Sequence, residues 1–194
     1  MFLGIQCTGP HKAAQDQGST ETRIHKRMSE TKEKKDKAAN RVSAGLLMYR
    51  IQNGKLEVLL VHLGGPYWSR KDAGAWFVPK GGLENEEDEF AAAQREFQEE
   101  TGLQPRGPFL ELGTVYHKSG KKVAAWAFRG EEEPAKLQSN TFEMEWPPRS
   151  GKFQKFPEID RAEFFTVEAA KEKMHAAEVE FVRRLEKLLP PAEE

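Results

Sequence analysis

The chain is 194 residues long, with 30 Lys and Arg against 31 Asp and Glu, one Cys, and 38% hydrophobic and 31% charged residues. That length suits one domain with a real core, and a net charge of −1 argues against wholesale nucleic-acid or membrane-surface binding. No apolar run approaches the ~20 residues of a membrane helix, Met1–Ile5 is too short and lacks the basic flank for a secretory signal, and the lone Cys7 excludes an internal disulfide or a multi-Cys zinc site, which suits a reducing cytoplasm.

Charged content above the usual ~25% implies that part of the chain lies outside a packed domain. Between Thr22 and Arg41 eight basic residues face three acids and apolar residues are nearly absent. Residues 1–40 therefore read as a disordered basic leader, with Met28 as an alternative start. The domain is expected over 41–190, with 191–194 as a tail. Ser43–Ile51 and Leu56–Leu63 are strand-length apolar runs joined by Asn53-Gly54, a hairpin signal. Trp76–Val78 is a short buried run ending at Pro79. Glu87–Thr101 carries Phe90, Ala93 and Phe97 at helical spacing. Leu110–Lys118 and Lys121–Arg129 form a second hairpin about Ser119-Gly120. Gly130–Arg161, rich in Pro, aromatics and charge, yields no clear element; an apolar strand at Phe164-Phe165 follows. Val167–Leu189 reads as one helix, with Ala170, Met174, Ala177, Phe181, Leu185 and Leu188 on one stripe before Pro190-Pro191. The class is α+β, a mixed sheet flanked by helices.

From Gly82 to Leu103 eight acids face a single base, Arg95. Like charges at helical neighbour spacing oppose a helix by ~0.2–0.5 kcal/mol per pair, so an external cation is the natural counterweight. On a helix turning ~100° per residue, Glu96, Glu99 and Glu100 share an arc of about 100°, beside the core-facing arc of Phe90, Ala93 and Phe97. Arg95 lies at its margin, placed to fork onto a carboxylate. Gly102 ends the helix. Hard oxygen donors select Mg²⁺ or Mn²⁺, and two such ions suit a pyrophosphate attacked by water. The glycines Gly81 and Gly82 let backbone approach closely.

At these positions the sequence resembles the Nudix hydrolases. Their box runs Gly, five residues, Glu, seven residues, Arg-Glu-apolar-x-Glu-Glu-x-Gly-apolar, and is met by Gly81, Glu87, Arg95, Glu96, Phe97, Glu99, Glu100, Gly102 and Leu103. The lead-in Trp76-Phe77-Val78-Pro79-Lys80 is similar too; Glu86 departs, standing where many members have Gly. The resemblance implies a mixed sheet in an α/β/α sandwich with the box as loop-helix-loop. It implies Glu96, Glu99, Glu100 and the Lys80 carbonyl as ligands of Mg²⁺ or Mn²⁺, and Glu99 or Glu96 as a ligand-base. Arg95 would orient a glutamate, Glu87 would brace the loop, and Glu158, in Phe156-Pro157-Glu158, would be a fourth carboxylate. Gly81 and Gly102 are structural.

Arg70, Lys71 and Lys80 are candidates for further phosphate contacts, and Tyr67, Trp68, Phe142 and Trp146 for stacking on a purine. His62, His117 and His175 lack metal-ligand spacing and read as ordinary histidines. Within the family the Lys80-Gly81 lead-in looks like the dinucleoside polyphosphate hydrolases, which suggests asymmetric cleavage of a compound such as diadenosine tetraphosphate. Tyr116 stands closer to the box than that group's stacking Tyr. Other diphosphohydrolase readings stay open, acting on nucleoside triphosphates, 5′-triphosphate RNA or inositol pyrophosphates, as does a non-catalytic nucleotide sensor. The expected partner is a nucleotide-type small molecule, with a homodimer left open and neither membrane nor nucleic acid expected.

Overall fold

The computed structural model describes residues 42–84, 86–133 and 139–189. The expected leader over 1–40, with Met28 and Cys7, and the tail 191–194 lie outside the described residues.

Strands β1 (Val42–Gln52) and β2 (Lys55–Leu63) form the first hairpin. Asn53 and Gly54 turn it with φ of 52° and 73°, the left-handed pair a two-residue hairpin loop requires. The strands pair only near that turn, from Tyr49↔Val58 to Gln52↔Lys55. Beyond it they splay, and the following segment fills the wedge. β3 (Trp76–Phe77) joins β2 at Val61 and His62, while β4 (Lys80–Gly82) joins β1 at Ser43–Gly45. Between these contacts the Leu46 N–H donates to the Pro79 carbonyl at 3.1 Å. The box thus starts from the middle of the sheet rather than from its rim.

The other edge of β1 takes β6 (Lys122–Arg129) in parallel, and β6 takes β5 (Phe109–Tyr116) antiparallel; β9 (Ile159–Thr166) lines the outer edge of β2. The sheet is therefore mixed. Strand alternation sends side chains to both faces. Helix α1 (Glu89–Thr101) covers one, burying Ala92, Ala93 and Phe97 against Leu46, Met48, Leu59 and Phe128. Helices α2 (Val167–Lys173) and α3 (Val179–Leu188) cover the other, with Ala170, Phe181 and Leu185 against Leu47, Leu60 and Val123. The result is the expected α+β class, built as an α/β/α sandwich. No helix among the described residues is long and apolar enough to cross a membrane.

Helix α1 starts at Glu89, not Glu87, because the Asp88 carboxylate caps it, accepting from the N–H groups of Phe90 and Ala91 at 2.9 and 3.2 Å. Gly102 closes it at φ 73°, its N–H donating to the Gln98 carbonyl.

Two expectations need correcting. The apolar stripe predicts one helix over Val167–Leu189, yet the chain breaks between α2 and α3. Met174 is extended, at φ −70° and ψ 154°, and bridges to Trp76, whose carbonyl accepts from the His175 N–H at 3.0 Å. The wedge strand β3 must satisfy its own backbone groups, and the helix gives up part of its course to do so. Gly130–Arg161 also holds more than expected. Thr141–Glu145 (β7) and Phe153–Pro157 (β8) form a separate two-stranded sheet running from Thr141↔Pro157 to Glu145↔Phe153.

Candidate active site

The site is assembled by α1 and the loop leading into it. Arg95 organises the carboxylates. Its Nε and Nη2 fork onto Glu87 at 3.0 and 2.8 Å, Nη1 donates to Glu96 at 2.8 Å and Glu99 at 3.4 Å, and Nη2 also reaches the Gly82 carbonyl at 3.0 Å. Glu87 further accepts from the Glu84 N–H at 3.0 Å, so both ends of the loop are drawn to one carboxylate. Arg95 holds Glu87 below the usual carboxylate range, and Glu87 in turn raises Arg95. One oxygen each from Glu96 and Glu99 touches the same Nη1, so these two oxygens lie within two hydrogen-bond lengths of each other. Glu86 sits at φ 59°, in the left-handed region that favours the Gly many relatives carry there.

Glu96 packs directly against backbone. A Cβ added at Gly81 would meet its carboxyl carbon and oxygens at 2.0–2.2 Å, so any side chain there would displace the Glu96 carboxylate. Burial raises the Glu96 carboxyl despite the Arg95 contact. Glu100 accepts from the Lys80 N–H at 2.9 Å, and burial pushes its carboxyl up to about 8, with the charges of Glu96 and Glu158 adding to the rise. Among the described residues no three His, Cys, Asp or Glu side chains already converge as a ligand shell. Glu99 is turned onto Arg95 and Glu100 onto the Lys80 amide. The residues nonetheless fit a hard divalent cation: oxygen-only donors sit side by side, one against a glycine cradle, with two of them raised by burial.

Glu158 lies between β8 and β9, its backbone bonded to Asn140 and Gly64 at 2.8 Å each. It lines a cleft of about 450 Å³ together with Glu100, Tyr67, Trp68 and Phe142. Tyr67 and Trp146 meet edge-to-face, with centroids 5.2 Å apart at 83°, so they do not form a parallel clamp. Arg70 and Lys71 are exposed on the loop between β2 and β3, and the Lys71 ammonium lies 4.4 Å from the Trp68 ring centre. The Lys80 side chain turns from α1 to Glu178, with Nζ 3.2 Å from Oε1 and 4.4 Å from the Phe77 ring centre.

Three features had no clear signal in the sequence. Glu178, fully buried, accepts from the Val78 N–H at 3.0 Å and lies 3.1 Å from His117 Nε2. His117 stacks on His175 at 4.4 Å. His62 is fully buried, with Nδ1 2.6 Å from the Asp160 carboxylate and Nε2 2.8 Å from the Lys71 carbonyl. It moors the loop carrying Tyr67, Trp68, Arg70 and Lys71. Alternation hints at an inward position for His62, but no local pattern links any of these to its distant partner.

A glycine-led loop wedged into a sheet, followed by a helix whose acids are gripped by one arginine, is the loop-helix-loop arrangement expected of the box. Residues 39–185 match the family model for the NUDIX domain. The chain belongs to the Nudix family, whose members are generally pyrophosphohydrolases. Among solved structures it is similar to a C. elegans Ap4A hydrolase in a binary complex, at 22% identity and a TM-score of 0.53, covering 75% of this chain and 96% of that one. The NUDIX domain of Shewanella oneidensis NrtR, complexed with ADP ribose, shares 12% identity at a TM-score of 0.57, covering 78% and 90%. The C-terminal domain of mouse MUTYH, in complex with human PCNA, shares 21% at 0.50, covering 76% and 88%. At these identities the likeness is one of fold. No curated protein matches.

Proposed function

We propose that this protein hydrolyses a phosphoanhydride in a nucleoside diphosphate-linked compound, with a dinucleoside polyphosphate such as diadenosine tetraphosphate as substrate and Mg²⁺ or Mn²⁺ as cofactor. The observation that carries the reading is the complete grip of Arg95 on Glu87, Glu96 and Glu99, with Glu100 held by the Lys80 amide. A nucleotide sensor has no use for four acids kept in one arrangement.

In this reading Glu96, Glu99, Glu100 and the Lys80 carbonyl would hold the cation, whose chemistry when bound would be charge neutralisation at the phosphate oxygens. Arg95 fixes the rotamers of Glu96 and Glu99 without touching substrate. Glu99 or Glu96 takes the proton of the attacking water. Glu158, whose charge is felt at both Glu96 and Glu100, is the fourth carboxylate. Arg70 and Lys71 meet the outer phosphates from the loop. The lead-in Lys80-Gly81, like that of the dinucleoside polyphosphate group, favours this substrate over nucleoside triphosphates.

The test is a panel of dinucleoside polyphosphates, nucleoside triphosphates, nucleotide sugars, triphosphate RNA and inositol pyrophosphates with Mg²⁺ or Mn²⁺ in isotopic water. Diadenosine tetraphosphate should yield ATP and AMP, with label in one product only. Glu99→Gln and Glu100→Gln should each cost at least ~100-fold in rate. Near-normal turnover by both variants overturns the site assignment.

A further inference from the structure

The lead-in to the box is held from both sides, and the two holds differ in kind. On one side it lies along β1. The Leu46 N–H donates to the Pro79 carbonyl at 3.1 Å, Lys80 pairs with Gly45, and a side chain at Gly45 would run into Pro79 and Lys80. On the other side it lies along the break between α2 and α3. There the Gly74 N–H donates to the Lys173 carbonyl at 2.8 Å, and the Trp76 carbonyl accepts from the His175 N–H at 3.0 Å. The next rung falls at Val78, where the neighbouring chain has already turned into α3. A side chain takes the place of the missing backbone carbonyl: Oε2 of Glu178 accepts from the Val78 N–H at 3.0 Å.

Glu178 stands at the N-cap of α3, a position whose side chain ordinarily serves its own helix. It makes no such bond. Its second oxygen, Oε1, lies 3.2 Å from Lys80 Nζ and 3.1 Å from His117 Nε2. A fully buried carboxylate is thus committed to the lead-in through both oxygens, one on its backbone and one on its side chain. Val78 and Lys80 supply consecutive backbone donors, because Pro79 between them has no N–H. The first donor goes to Glu178 and the second to Glu100, at 2.9 Å. Pro79 is buried and its ring fixes φ, so few torsions remain free between these two anchors. An orientation set at Val78 therefore passes to the Pro79–Lys80 peptide and on to the Lys80 carbonyl.

We propose that Glu178 is a positioning residue of the cation site. From the face of the sheet opposite α1, it aims the peptide units that anchor Glu100 and present the Lys80 carbonyl. The inference rests on the box reading for Glu100 and the Lys80 carbonyl as donors to the cation; Glu178 itself meets neither cation nor substrate. Removing a partner that orients a metal ligand costs ~10–100-fold in metal affinity.

The test is Glu178→Gln in the full-length chain. A carboxamide offers one acceptor oxygen where Val78 and Lys80 need two. Mn²⁺ affinity, read by titration calorimetry, should fall ~10-fold or more, and the Mg²⁺ concentration that half-saturates hydrolysis should rise by the same factor. Leu185→Ala opens a cavity in the same helix but leaves both Glu178 oxygens in use, so its Mn²⁺ affinity should match that of the natural chain. Coupling between the cation and the Val78–Glu178 bond is reciprocal. In the natural chain Mg²⁺ should therefore slow hydrogen exchange at the Val78 amide, a measurement that depends on no variant folding. Unchanged Mn²⁺ affinity in Glu178→Gln, equal losses in Glu178→Gln and Leu185→Ala, or exchange at Val78 indifferent to Mg²⁺ overturns the positioning role. Failure of the box reading looks different: the natural chain itself then takes up no Mn²⁺, and the positioning role falls with it.

Discussion

Glu178 joins the box lead-in to the far side of the sandwich, and its removal should be felt as lost stability. The carboxylate has no exposed surface, and the Lys80 side chain paired with it is 11% exposed. Glu178→Leu leaves a buried ammonium without its counter-charge, at a cost of about 3–5 kcal/mol. It also leaves the Val78 N–H unpaired, worth a further ~1–3 kcal/mol. Because the two losses share one site they will not add fully, and a destabilisation of about 4–6 kcal/mol is expected. Glu178→Gln keeps one acceptor and should lose about half as much. Burial alone would raise the Glu178 carboxyl, but the Lys80 charge and the hydrogen bonds from His117 and Val78 hold it below its ordinary 4.5. A lowered folded value stabilises the protein above the unfolded one and loses that contribution as pH falls through the folded one. The gap between the natural chain and Glu178→Gln, measured by urea unfolding, should therefore be constant above about pH 5 and close on further acidification. A loss under ~1 kcal/mol for Glu178→Leu, or a gap that widens in acid, refutes this account.

Arg95→Lys keeps the charge but loses the fork onto Glu87, so kcat/KM should fall ~10–100-fold, with steady-state kinetics as the measure. Gly81→Ala drives a methyl into the Glu96 carboxyl and should weaken Mn²⁺ binding by ~10-fold or more, read by calorimetric titration. Since the Glu100 carboxyl holds its proton up to about 8, metal must displace it. Mn²⁺ affinity should drop by up to ~10-fold per pH unit below 8 and level off above, with a proton released on binding. The metal-free protein should lose stability as pH climbs from the ordinary 4.5 towards about 8, because the folded state gives up a proton it prefers to keep. Chelation by EDTA should thus lower the melting temperature more at pH 9 than at pH 6; equal shifts would count against it.

The parts of this molecule written in local spacing were legible. Asn53-Gly54 between two apolar runs dictates a hairpin, and Glu96, Glu99, Glu100 and Arg95 fall on one arc of a helix whatever the rest does. The parts that depend on distant partners were not. The break after Lys173 lies inside an unbroken apolar stripe, and its cause is the backbone of Trp76. Glu178 reads as one more helical glutamate until Val78, 100 positions away, donates to it. Strands β7 and β8 escaped because each is five residues long, with Phe142 and Met144 alternating with charge that also suits a loop. Tyr67 and Trp146 meet each other edge-to-face, a relation that only the closure of the hairpin onto the loop creates.

The imidazole of His62 ties together regions that a surface map would treat as unrelated. Its ring is wholly buried on β2, yet it holds the Lys71 carbonyl of the following loop with one nitrogen and Asp160, at the start of β9, with the other. The loop is therefore tethered from within, and its outward residues inherit their aim from a buried side chain. Exposed tips such as Arg70 and Lys71 can be exchanged one at a time, while a change at the mooring moves the whole loop that carries them.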